Sequence, residues 1–282
     1  MNIVSDVMFF NIDYTILIQL HFLLSQTSFI MNKIILITGA TSGFGKAIAE
    51  KFAAAGWNCI ITGRRKEKLS SLAAALQNDH NIQVLPLVFD VRNRQEVFDI
   101  VQQLPEEWRA IDVLVNNAGL ALGRDSFDNA SLDDWDAMMD TNVKGMMYVT
   151  KAVLPYMTPR KKGHIINIGS VAGKDVYKDG NGYCASKFAV DALSRSMRID
   201  LLPHRIKVTA IHPGAAETEF SLVRFKGDPS KAKAVYDGFV PLYAPDVADV
   251  AFYCATLPEN VCINDLVMTC VAQADAIYFQ KQ

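Results

Sequence analysis

A continuous apolar run, Ile34-Ile35-Leu36-Ile37, gives way to Thr38-Gly39-Ala40-Thr41-Ser42-Gly43-Phe44-Gly45 and then to a helical pattern over residues 46–56. A strand that is apolar at every position must be covered on both faces, which a parallel sheet between helices provides. Strand patterns recur at residues 33–38, 58–62, 83–89, 111–115, 164–169, 207–212 and 266–270, with helical patterns between them. The alternation predicts an α/β fold: a doubly wound, mostly parallel seven-stranded sheet with helices on both faces, right-handed crossovers and ligands at the carboxyl ends of the strands. Gly and Pro are dispersed and no low-complexity or charge block interrupts the pattern. Residues 32–282 therefore read as a single domain.

The glycine turn between the first strand and helix has a chemical reading. Glycines admit positive φ and leave no side chain between backbone and ligand, so the backbone and side chains of Gly39, Ala40, Thr41, Ser42, Gly43, Phe44 and Gly45 can cradle a pyrophosphate at a helix N-terminus. The spacing differs from the common G-x-G-x-x-G form. The second strand ends in Thr62-Gly63-Arg64-Arg65, with no acid until Glu67. Cations at a helix start oppose its dipole, and two guanidiniums suit a 2′-phosphate, so Arg64 and Arg65 favour NADP(H) over NAD.

Further along, Ser170 ends a strand pattern and Tyr183-Cys184-Ala185-Ser186-Lys187 opens a helical one. Residues four apart on a helix share a face. An ammonium beside a phenol favours the phenolate, so Lys187 is expected to lower the Tyr183 pKa from its usual value of about 10 and make it a useful proton donor and acceptor.

The glycine turn, Asn116-Asn117-Ala118-Gly119, the helical Asn142, Ser170 and Tyr183-x-x-x-Lys187 occur in an order and approximate spacing that resemble the short-chain dehydrogenase/reductase family, from about Lys33 to the C-terminus. The resemblance implies a Rossmann-type fold and a role for each motif. Tyr183 exchanges a proton with the substrate, Lys187 also bonds the nicotinamide ribose, Ser170 holds the substrate oxygen, and Asn142 holds a helix kink and an ordered water. Asp90 and Val91 meet the adenine and Asn117 the adenosine ribose. Pro213, Gly214 and Thr218, with Phe220 in the same segment, lie against the carboxamide and pyrophosphate. It also implies a homotetramer in which the patterns at 132–157 and 183–202 pack against their copies.

Within the family, Gly63-Arg64-Arg65, Asp90-Val91-Arg92-Asn93-Arg94 and Arg224-Phe225-Lys226-Gly227-Asp228 resemble NADP-dependent members that act on the 3-hydroxyl of small 3-hydroxy acids such as L-serine, L-allo-threonine and 3-hydroxypropionate, or in reverse on malonic semialdehyde. Residues 223–228 read as a mobile lid, on which Arg224 or Lys226 offers a cation to the substrate carboxylate. The segment 213–218 is shorter by a residue and 171–182 differs, so a larger carbonyl of the 3-oxoacyl or sterol type stays open as substrate. So does a catalytically silent NADP-binding regulator.

A net charge of −2 with mixed signs gives no footprint for nucleic acid. The five cysteines form no C-x-x-C pair and read as reduced residues of a cytoplasmic protein, and the five histidines lack ligand spacing, so no metal is expected. Residues 1–31 contain no Lys or Arg, carry Asp6 and Asp13, and are too polar for a membrane span. They read as a non-family extension, arising from an upstream start or forming a weak interfacial helix, without stable membrane association.

Overall fold

The computed structural model describes residues 32–282, so the extension read over residues 1–31 lies outside the described residues. Strand β1, Ile34–Ile37, is buried at all four positions. Side chains alternate across a strand. Ile35 and Ile37 accordingly enter one core with Phe52, Ile61, Leu69 and Ala248, while Ile34 and Leu36 enter another with Ile60, Val97, Leu114 and Val153. Each fully buried side chain of this size contributes about 1.5–3 kcal/mol. The unbroken apolar run is thus the signature of a central strand covered twice.

Around it, α1 (Gly43–Ala54), β2 (Asn58–Gly63), α2 (Lys66–His80), β3 (Val84–Val88), α3 (Arg94–Gln102) and β4 (Ile111–Asn116) complete the first half. β5 (Gly163–Ile168), β6 (Ile206–Pro213) and the seventh strand of the sheet, Asp265–Met268, complete the second. Among the described residues the main sheet runs β3-β2-β1-β4-β5-β6 and then Asp265–Met268, with every pairing parallel. The chain moves outward from β1 to β3 and returns to place β4 on the other side of β1. That reversal opens a crevice at the carboxyl ends of the strands.

The helical pattern predicted over residues 132–157 is three pieces: α4 (Leu132–Met139), a π-helical stretch Asp140–Gly145, and α5 (Met146–Met157). Gly145 lies so close to Val91 that a β-carbon on it would come within 2.7 Å of the valine side chain. Helix α6, Asn181–Asp200, carries Tyr183 and Lys187. After β6, the residues read as a lid are the last two residues of a short helix, α7 (Glu219–Arg224), and the turn that leads to a second, α8 (Pro229–Ala234). A small parallel pair, β7 (Ala216–Glu217) and β8 (Leu242–Tyr243), and helix α9 (Ala244–Thr256) precede the last strand, β9 (Asp265–Met268). Among the described residues, no helix is long and apolar enough to cross a membrane.

Candidate active site

A cleft of about 740 Å³ lies at the crevice, bounded by the turn after β1, the ends of β4, β5 and β6, and the α7–α8 segment. Gly39 sits at φ +67°, and a β-carbon there would come within 2.9 Å of the Ala118 backbone. Gly43, at φ +52°, faces Thr218 across the cleft, with only ordinary contact distance between them. Ser42, the residue before α1, is extended and its side chain makes no capping bond, which leaves the first-turn N–H groups of α1 to an anion. Two buried hydroxyls on the cleft wall, Thr62 Oγ1 and Thr141 Oγ1, have no hydrogen-bond partner among the described residues. A dinucleotide fits such a cradle. Thr41, Ser42 and Phe44 line it, but Ala40 and Gly45 do not. Ala40 is buried with its N–H bonded to the Thr62 carbonyl, and Gly45 is packed beneath the turn against Gly39 and Asn117, so both shape the cradle from behind.

Arg64 and Arg65 line the far end of the cleft. The sequence showed no acid beside them until Glu67, but the fold supplies two from a distance. Arg65 donates to Thr41 Oγ1 and Ser42 Oγ (both 2.8 Å from Nη2) and pairs with Glu219 at 2.9 Å, and Arg64 lies 3.6 Å from Asp90. The Arg65 hydrogen bond holds the Glu219 carboxyl below its usual range. Asp90 is largely committed to Arg92, whose backbone and side chain donate to it at 3.0 Å and 2.6 Å. Burial raises the Asp90 pKa, yet the bonds and charge of Arg92 bring it below the ordinary value. Val91 and Asn117 line the cleft as expected, and Asn117 Nδ2 also donates to the carbonyls of Thr38 and Gly39, which fixes the turn.

At the other end, β5 delivers Ser170 and the first turn of α6 delivers Tyr183, both lining the cleft with Lys187. The Tyr183 phenol does not behave as the spacing alone implied. Burial raises its pKa above the usual value, the neighbouring Tyr177 adds to that, and the facing Ser170 hydroxyl and the Arg224 guanidinium draw it back. Lys187 Nζ sits 5.9 Å from the ring centroid and donates to the Ile168 carbonyl at 2.9 Å. Burial lowers the lysine itself to about 8. Desolvation therefore outweighs the ammonium here.

Asn142 lies in the π-helical stretch, so the expected kink is present, but its side chain does not line the cleft. Its Oδ1 accepts from the Leu120 N–H (2.8 Å) while Nδ2 donates to the Leu120 carbonyl (2.8 Å) and to Ser186 Oγ (2.9 Å). It clamps the loop after β4 to α6. Pro213, Gly214, Thr218 and Phe220 all line the cleft, with the Phe220 ring 5.7 Å from that of Tyr183. Of the two lid cations, Lys226 is turned away and pairs with Asp134 at 2.8 Å, whereas Arg224 enters the site with its Cζ 5.6 Å from the Tyr183 ring centroid.

Three features had no signal in the sequence. Gln273 is buried, accepts from the Ala215 N–H through Oε1 (2.7 Å) and donates to the Asp275 carbonyl through Nε2 (2.8 Å), so the C-terminal segment braces the turn after β6. Tyr177 and Arg124 line the cleft near Tyr183, with the Arg224 guanidinium 5.6 Å from both tyrosine ring centroids. Behind Ser170, Asp191, His212 and Asp265 converge with ligand-capable atoms within 4.8 Å of one another. Lys174 Nζ already supplies a cation there, 2.9 Å from Asp191 and bonded to Asp265.

The profile of the short chain dehydrogenase family matches residues 33–227. The chain is 48% identical over 244 residues to the NADP-dependent 3-hydroxy acid dehydrogenase of Salmonella typhi, covering 86% of this chain and 97% of that one. It is 46% identical over 245 residues to sulfoacetaldehyde reductase 2 of Chromohalobacter salexigens, covering 86% and 96%. Among solved structures, the closed form of a serine dehydrogenase complexed with NADP+ superposes with a TM-score of 0.82 at 45% identity, over 88% of this chain and all of that one. With the glycine cradle, the serine and the Tyr-x-x-x-Lys helix gathered around one cleft, the chain belongs to the short-chain dehydrogenase family.

Proposed function

We propose that the protein is an NADP(H)-dependent oxidoreductase acting on the 3-hydroxyl, or in reverse the 3-oxo group, of small 3-hydroxy acids such as L-serine, L-allo-threonine and 3-hydroxypropionate/malonic semialdehyde. The observation that carries the reading is the guanidinium of Arg224 beside the Tyr183 ring, a fixed positive charge next to the proton-exchanging phenol. Similarity to a 3-hydroxy acid dehydrogenase and to a serine dehydrogenase supports it.

Gly39, Thr41, Ser42, Gly43 and Phe44 hold the cofactor pyrophosphate, Arg64 and Arg65 the 2′-phosphate, Asp90, Val91 and Asn117 the adenosine, and Pro213, Gly214, Thr218 and Phe220 the nicotinamide side. Bound NADP(H) supplies the hydride acceptor or donor. Tyr183 exchanges the proton on the substrate oxygen, and the Ser170 hydroxyl orients that oxygen and stabilises its developing charge. Lys187, held by the Ile168 carbonyl, stands ready for the nicotinamide ribose. Asn142 fixes the loop at Leu120. Arg224 binds the carboxylate and draws the phenol pKa down.

An aldehyde bearing a sulfonate is the second reading, favoured by similarity to a sulfoacetaldehyde reductase and by a guanidinium that pairs with either oxyanion. Exposed Leu132 and Met139 on α4, Met147 on α5 and Phe188 on α6 support a homotetramer covering those helices. The free cysteines fit a cytoplasmic setting.

The reading is tested by NADP+ reduction with L-serine, L-allo-threonine, 3-hydroxypropionate and 1-propanol. Arg224→Ala should raise KM for the acids about 10- to 100-fold, the equivalent of one charge-assisted hydrogen bond, and leave KM for 1-propanol unchanged, while loss of its charge beside Tyr183 lowers kcat for acids and alcohol alike. An equal change of KM for acid and alcohol would discard the assignment, and a preference for long acyl or sterol carbonyls would favour the larger-substrate alternative. NADP+ binding without turnover of any substrate would leave the silent regulator.

A further inference from the structure

We infer that Arg124 is a second anion-binding residue of the substrate end, forming with Arg224 a recess of two guanidiniums around Tyr177 that receives the carboxylate or sulfonate of the substrate. The inference rests on the substrate reading above and adds a residue to it. Arg124 Cζ lies 5.7 Å from the Tyr177 ring centroid and Arg224 Cζ lies 5.6 Å from the same centroid. Two like charges about one ring repel each other, and an anion between them removes that repulsion. Among the described residues neither arginine forms an ion pair, whereas at the far end of the cleft Arg64 pairs with Asp90 and Arg65 with Glu219. Lys178, also on the cleft wall, has no ion pair among the described residues either. The substrate end therefore carries two guanidiniums that no carboxylate on the cleft wall pairs.

The two arginines are also held in register. The Gly123 N–H donates to the Arg224 carbonyl at 3.0 Å and Arg224 Nε donates back to the Gly123 carbonyl at 3.3 Å, so the loop bearing Arg124 is latched to α7 at the adjacent residue. Gly123 adopts φ +68°, and a β-carbon there would meet the Asp125 and Asp134 carboxylates within 3.3 Å, which fixes the turn as a glycine position. Burial raises the Tyr177 phenol, and both guanidiniums draw it back, Arg224 more than Arg124. Tyr183 is drawn down by Arg224 but not by Arg124. Arg224 is thus the inner member beside the reacting oxygen and half-buried, and Arg124 the exposed outer member. The outer position gives it a part in binding without a part in the proton exchange.

The test uses the full chain loaded with NADP+ and three unreactive probes, propionate, ethanesulfonate and the neutral propionamide, titrated by ligand-observed NMR into wild type, Arg124→Ala and Arg124→Lys. Arg124→Ala should weaken propionate and ethanesulfonate about five- to tenfold, leave propionamide and NADP+ binding unchanged, and be partly restored in Arg124→Lys. In turnover of 3-hydroxypropionate it should raise KM with kcat held. A shift confined to one of the two anions supports the recess and names the oxyanion it serves. Unchanged anion binding in Arg124→Ala, or equal weakening of propionamide, overturns the inference whatever the turnover shows. Intact, Arg124-dependent anion binding without turnover would count against the proposed reaction and leave the recess standing.

Discussion

The interior around β1 and β2 and the interior around β5, β6 and α6 are made of different material. In the first, Ile35, Leu36, Ile37, Ile60 and Ile61 are fully buried, and among the described residues no buried charged side chain stands on these two strands. In the second, Asn167, Ser186, Lys187, Asp191 and His212 are buried alongside Ile165 and Ile166. Each polar group there needs a partner, because an unpaired one is costly. Asn167 accepts from Asn116 Nδ2 at 2.8 Å and donates to Ser194 Oγ at 2.9 Å, and Lys187 has the Ile168 carbonyl. The difference teaches that one half of the sheet holds the fold while the other carries chemistry at the expense of stability.

The comparison breaks most visibly at Phe52, which is fully buried against Trp57 and Phe252. Phe52→Ala should lower the unfolding free energy by about 3–5 kcal/mol while kcat of the folded fraction stays near wild type. Denaturant titration with parallel kinetics checks this; a large fall in kcat of folded protein would mean that the two halves are not separable.

Lys187→Met should do the opposite, removing activity while stability holds or rises. The sign follows from burial. The lysine titrates at about 8 in the folded protein against 10.5 as its ordinary value, so between these pH values the unfolded chain holds a proton that the folded chain lacks, and stability rises with pH. Below pH 8 the buried ammonium costs on the order of 3 kcal/mol, and above 10.5 the cost is gone. The stability advantage of Lys187→Met should therefore shrink as pH rises from 8 to 10.5 in paired unfolding titrations. A gap that stays constant would show that the lysine is not strained by burial.

A smaller effect is expected at Gln273, which supports the site from the C-terminal segment. Gln273→Ala leaves the Ala215 N–H without its partner and should cost about 1–3 kcal/mol, with a few-fold rise in KM for NADP+. An unchanged cofactor KM would assign the residue to the fold alone.

Much of this could be read from the chain. The run Ile34 to Ile37 announced a doubly covered strand, and each of the seven strand patterns lies within about two residues of a strand of the main sheet, because β-branched runs cut by turns have few other folds open to them. Helix α1 begins at Gly43, earlier than its apolar period, because glycine carries no periodic signal. The π-helical stretch at Asp140–Gly145 escaped for a related reason, since one inserted residue barely disturbs a helical pattern. At the site, Ser170, Tyr183 and Lys187 line one cleft while Asn142, Ala40 and Gly45 stand behind its wall, and the residues joined by topology did not announce themselves. Glu219 reaches Arg65 from 154 positions away, and Tyr177 and Arg124 meet only through the fold. The Tyr183–Lys187 spacing predicts a lowered phenol pKa, whereas burial of the phenol raises it.

On the proposed reading the Tyr183 phenol exchanges the substrate proton in an NADP-linked oxidation. NADPH formation from NADP+ and 3-hydroxypropionate, followed for wild type and Tyr183→Phe under identical conditions, tests it most directly. Tyr183→Phe should lower kcat about 10²–10⁴-fold, with melting temperature and NADP+ binding unchanged. A Tyr183→Phe variant turning over at the wild-type rate would contradict it.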